Sequence, residues 1–135
     1  MVEMELTKIV IDEKRHDQLI VLKEKNGDRI LPIVIGLAEA SAIKLRISGF
    51  IPPRPLTHDL LQTTIENLEA NIEKIVIDKL EENTFHAKII LRQDGKIKVV
   101  DARPSDSVAL AVRAKAPIFV EEGVLKQADL FNEDK

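Results

Sequence analysis

Glu39-Ala40-Ser41-Ala42-Ile43-Lys44-Leu45-Arg46 and Asp106-Ser107-Val108-Ala109-Leu110-Ala111-Val112-Arg113 are spelled alike, 67 residues apart in a chain of 135. Each opens on an acid, sets alanines and aliphatics at helical spacing, and closes on arginine. Working outward, three strand-like runs precede each stretch. Before the first come Met4–Ile11, Gln18–Leu22 and Arg29–Ile35, with Asn26-Gly27 as a hairpin turn. In Met4–Ile11, Leu6, Lys8 and Val10 alternate with Thr7, Ile9 and Ile11, which predicts two opposite faces. Before the second come Ile72–Leu80, Thr84–Arg92 and Lys96–Asp101, with turns at Glu82-Asn83 and Asp94-Gly95. The helices are expected over Leu37–Ser48, ended by Gly49, and over Ser107–Ala116. The reading is a single α+β domain over 1–135, with mixed β-sheet and three to four helices. It has half-repeats 4–49 and 71–116, a duplicated β-β-β-α unit; chance likeness is the alternative.

A connector at 50–56 separates the halves. Its Pro52, Pro53 and Pro55 make it stiff and non-helical. Thr57 then reads as the N-cap of a helix to about Glu69, with Leu60, Leu61, Thr64, Ile65 and Leu68 on one face. Pro117–Val120 reads as a short strand and Gly123–Lys135 as a short terminal helix.

Composition excludes several function classes. With no cysteine there is no disulfide, thiolate metal site or Cys nucleophile. No run is long and apolar enough to span a membrane, and the acidic start Met-Val-Glu-Met-Glu lacks a signal-peptide pattern. A soluble cytoplasmic protein with no membrane partner is expected. A net charge of −3 and the absence of Trp and Tyr remove any global basic signal and any rich base-stacking platform. Nucleic acid would have to be held by a local patch.

Two runs offer one: Arg54-Pro55-Leu56-Thr57-His58-Asp59 and Asp101-Ala102-Arg103-Pro104-Ser105-Asp106. Each puts Arg-Pro before a hydroxyl residue and an acid at a helix start, where free N–H groups favour anions. The same residues also serve a helix that only needs capping; Ser105 or Asp106 can cap the second. On the first helix, Ser41, Lys44 and Ser48 form a polar stripe, so Glu39 and Arg46 turn towards protein or a cleft. Asp106 and Arg113 share a face but stand about 10 Å apart along the axis. Asp101 ends a strand, a place where carboxylates are often presented, or it starts an Asx turn. His58 is a candidate general base, while His16 and His86 have no informative neighbours. Glu39, Asp59, Asp101 and Asp106 could together hold Mg²⁺ or Mn²⁺ if the fold gathers them. No P-loop, dinucleotide fingerprint, His-Glu-x-x-His or nucleophile elbow is present.

Leu31-Pro32-Ile33-Val34-Ile35-Gly36, Glu39-Ala40 and Pro53-Arg54-Pro55-Leu56-Thr57-His58-Asp59-Leu60-Leu61 resemble the bifunctional nuclease domain family. So do Asp101 through Arg113 and Ala116-Pro117-Ile118-Phe119-Val120. The resemblance implies a compact mixed α and β domain, a homodimer, and nuclease activity on DNA and RNA as in its plant members. It supplies no established catalytic residues. The matched positions give the candidates: Glu39, His58, Asp59, Asp101 and Asp106 for catalysis, and Arg54, Thr57, Arg103 and Ser105 for phosphate. A divalent ion would activate water for phosphodiester hydrolysis. The rival expectation is a non-enzymatic dimeric binding or regulatory domain in which these residues cap helices and form the interface.

Overall fold

Strand, strand, strand, helix occurs twice along the chain. The first set is β1 (Val2–Val10), β2 (Gln18–Glu24), β3 (Ile30–Ile35) and α1 (Leu37–Ile47). The second is β4 (Ala70–Glu81), β5 (Thr84–Gln93), β6 (Lys96–Ala102) and α3 (Pro104–Ala114). Between them lies α2 (Thr57–Asn67), and after them β7 (Ile118–Val120) and α4 (Glu122–Glu133). The computed structural model describes residues 1–12, 14 and 17–133, and of 130–133 the backbone only. His16 and the last two residues of the terminal helix expected from the sequence lie outside these. The bounds of α1 and α3 differ by 67 at both ends, from 37–47 to 104–114.

The strands form one seven-stranded sheet in the order β3-β2-β1-β7-β4-β5-β6. Each set of three is an antiparallel meander. β7 joins the two meanders, antiparallel to β1 and parallel to β4. The fold is therefore α+β, as expected. Glu82-Asn83 and Asp94-Gly95 each place both residues at positive φ, the twist that suits a two-residue hairpin.

The core lies between one face of this sheet and the helices. Ile20, Leu22, Leu31, Ile33, Ile75 and Ile77 meet Ile43, Val108 and Leu110, all essentially buried. Each such side chain contributes about 1.5–3 kcal/mol by leaving water. α3 is the central helix, buried from Ser107 to Ala111, whereas α2 buries no residue.

Three local expectations are corrected. The register of β1 against β2 shifts between Leu6 and Lys8, and Leu6 and Ile9 both pack on the core. An extra residue in one strand flips the faces beyond it. α3 starts at Pro104, three residues before the expected start, because proline at the first helical position loses no needed N–H. Thr57 is the first residue of α2 and not its cap; Leu56 holds the N-cap position. No helix among the described residues is long and apolar enough to cross a membrane.

Candidate functional site: a charged cluster at three helix starts

Glu39, Asp59 and Asp106 are each the third residue of their helix. That position lies beside backbone N–H groups with no partner in the first turn, so a carboxylate is favoured there. Asp59 uses it directly: the Leu56 N–H donates to its Oδ2 at 2.9 Å. Glu39 folds back over Gly36, so closely that a Cβ at Gly36 would collide with its carboxylate.

Arg103, the N-cap of α3, bridges two of these acids. Its Nε donates to Asp106 Oδ2 at 3.0 Å and its Nη2 to Glu39 Oε1 at 3.1 Å. The other oxygen of Asp106 faces His58 Nε2 at 3.0 Å. The run Glu39, Arg103, Asp106, His58 thus joins the starts of α1, α3 and α2. Next to His58, Asp59 Oδ1 accepts from Arg113 Nε at 2.8 Å, and Arg113 Nη1 donates to the Ala109 carbonyl at 3.1 Å. Consecutive residues of α2 therefore hold both ends of α3. This is how Asp106 and Arg113, too far apart to meet, come to act in one network. At the C-terminal end of α1, Arg46 Nη2 reaches the Arg113 carbonyl at 3.5 Å.

Exposure sorts these groups. The Arg113 side chain is only 2% exposed and Asp59 25%, a mostly buried pair. Arg103 is 68% exposed and stands open above the cluster. The Leu56 N–H holds the Asp59 carboxyl below its ordinary range, burial opposes this, and Arg113 adds to the lowering. Its hydrogen bond to Asp106 strengthens the hold of Arg103 on its proton.

The other expected site residues fall elsewhere. Asp101 is on β6, 78% exposed, 3.0 Å from Lys88, which lowers its pKa. Arg54 is exposed and makes no ion pair among the described residues. Thr57 is exposed on the first turn of α2, and Ser105 is buried on the first turn of α3. Among the described residues, no group of three or more His, Asp or Glu is placed to hold a metal ion. Glu39 and Asp106 turn to Arg103, Asp59 to Arg113 and Asp101 to Lys88, so these donors do not fit Mg²⁺ or Mn²⁺ as a shared set. Sequence reasoning did not place Arg113 in the site. The signal was there: Asp106 and Arg113 repeat the Glu39 and Arg46 spacing.

Fold and cluster together define a single-domain α+β protein whose acids and arginines interleave at three helix starts. Residues 20–133 match the model of the bifunctional nuclease domain, and the chain belongs to that family. It is 47% identical over its whole length to an uncharacterized protein of Mycobacterium tuberculosis (strain ATCC 25618 / H37Rv), covering 80% of that protein. Bifunctional nuclease 1 of Oryza sativa subsp. japonica is 21% identical over 84% of this chain and 35% of its own length. Bifunctional nuclease 2 of the same plant is 25% identical over 84% of this chain and 36% of its own.

Proposed function

We propose that this domain binds a phosphodiester of DNA or RNA at the cluster and hydrolyses it. The observation that carries the reading is Arg103: a mostly exposed guanidinium, fixed by two carboxylates, next to a His–Asp pair. Its Nη1 has no hydrogen bond among the described residues and is available to a phosphate oxygen. With its Nε2–H donated to Asp106, His58 has Nδ1 to take a proton from water. The water oxygen then bonds to phosphorus, the P–O bond to the leaving nucleotide breaks, and His58 returns its proton to the leaving oxygen. Membership of the family, and the names of the distant plant relatives, support the same chemistry. No step is routed through a metal, because the donors do not fit one.

The test is cleavage of labelled single- and double-stranded DNA and RNA with Mg²⁺, Mn²⁺ or EDTA, wild type beside Arg103→Ala and Asp106→Ala. Cleavage by wild type, lost in folded variants and retained in EDTA, is the expected result. Full activity in both variants refutes the assignment; activity abolished by EDTA refutes its metal-free form.

A second reading rests on a different observation. Every acid of the cluster sits at the third position of a helix and is already paired, which is what a purely structural clasp requires. On that reading Asp106→Ala lowers the melting temperature and no preparation cleaves nucleic acid. The proposal includes a homodimer in either case: Leu60, Leu61 and Leu68 of and beside α2, with Phe50 and Ile51 of the connector, are exposed apolar side chains. Sedimentation equilibrium measures it; a monomer at all concentrations refutes it.

A further inference from the structure

A cavity of about 670 Å³ lies between the β2–β3 meander, the β4–β5 turn and the starts of α1 and α3. Ligand cavities commonly fall at about 300–1,000 Å³. Leu19, Ile33, Ile35, Leu80, Phe85 and Pro104 make its walls mainly apolar. Ser105 also lines it and is only 6% exposed, yet its hydroxyl has no hydrogen bond among the described residues. Ser107, two residues on, shows the usual solution by donating to the Arg103 carbonyl at 3.0 Å. The residue four before Ser105 is Asp101, on a strand, so Ser105 has no helical carbonyl to use. The oxygen is not enclosed by protein, since among the described residues Asp78 Oδ1 is the one fully buried side-chain polar atom without a partner, and it therefore opens onto the cavity.

Charge narrows the occupant. Among the described residues the cavity is lined by one cation, Arg103, and one anion, Asp17. The two offset each other in formal charge, so the described lining carries no net charge. Asn83 and Thr84 lie at the exposed rim, so mainly apolar walls, balanced charge and an unpaired hydroxyl at the buried end describe a complementary molecule.

We infer that this cavity binds an uncharged, largely apolar small molecule through a single hydrogen-bonding group that meets the Ser105 hydroxyl. The inference does not rest on the nuclease reading and is tested without measuring cleavage. The probe is N-phenyl-1-naphthylamine, which is uncharged, apolar and carries one N–H. The chain has no Trp or Tyr, so the probe's fluorescence is read against a dark background. Wild type should show saturable enhancement with one site per chain. Ser105→Ala should weaken binding about threefold to tenfold, the loss of one hydrogen bond. Val34→Trp, read outside the tryptophan band, should abolish it. Val34 lines the cavity but is itself exposed, so the change blocks the mouth without disturbing the core. No saturable enhancement in wild type overturns the inference. Equal enhancement in Val34→Trp also overturns it, since the probe would then sit elsewhere, as on the exposed leucines of α2.

Discussion

Removing the carboxylate of Asp59 should cost more than removing the guanidinium it pairs with. In Asp59→Ala the Arg113 charge, 2% exposed, keeps only the Ala109 carbonyl. Stripping one partner from a buried pair costs about 3–5 kcal/mol. Asp59 is itself 25% exposed, which favours the lower end. Loss of the Leu56 N–H acceptor adds about 1 kcal/mol. The sum, about 4 kcal/mol, lowers Tm by roughly 10–15 °C in a domain of this size. Arg113→Met keeps the apolar stem and leaves Asp59 with the Leu56 N–H and water, at about 1–2 kcal/mol. The double variant has no orphaned charge, so it should be more stable than Asp59→Ala alone. Thermal and urea unfolding followed by far-UV circular dichroism measures all four proteins. The pH dependence has a definite sign. Because folding lowers the Asp59 pKa from 3.8, its contribution is complete above that value and is lost as pH falls through the lower, folded one. The gap between wild type and Asp59→Ala should hold at neutral pH and close in acid. A double variant whose loss equals the sum of the singles would refute the reasoning.

Three further outcomes follow from local geometry. Thr57→Ala should leave Tm nearly unchanged in a melting scan, since Thr57 makes no cap bond; a fall of about 1 kcal/mol would restore it as the cap. Gly49→Ala should cost about 1 kcal/mol in urea titration, because Gly49 ends α1 at φ +80. Asp101→Asn should leave both Tm and any cleavage rate at wild-type level, since Asp101 is 78% exposed and its only ion-pair partner among the described residues is Lys88; a loss of cleavage would move the site to β6.

Much of this fold was legible because its signals are local. Alternation, hairpin turns and the 67-residue echo give the strands to within two residues, α1 almost to the residue, and the existence of α3 but not its bounds. The bulge near Leu6 was not legible, because nothing in Met4–Ile11 distinguishes eight alternating residues from seven plus one. The start of α3 was not legible because Ser105 and Asp106 are both good capping residues, whereas Arg103 holds the N-cap position and Pro104 opens the helix. The site was half legible. Glu39, His58, Asp59, Arg103 and Asp106 do converge, whereas Asp101, two residues from Arg103, does not. Asp101 is still on β6, paired across the strands with Lys88, whereas the chain has left the strand by Arg103, the N-cap of α3. The pairing of Asp59 with Arg113 spans 54 residues and depends on how α2 lies across α3, which no local pattern encodes.

The three residues of β7 are the splice between the two meanders. Val2 pairs with Val120 and Ile77 with the same residue from the other side. During synthesis β1 leaves the ribosome first and waits for nearly the whole chain before its second edge is covered. Each half can form its hairpins early, but closing the sheet needs contact between opposite ends of the chain, the slowest kind of step for a small domain. Until then the β1 and β4 edges stand open together, and unpaired edges are where chains stick to one another. The chance of misassembly in this protein is therefore concentrated in a brief interval that ends when Ile118, Phe119 and Val120 slide into place.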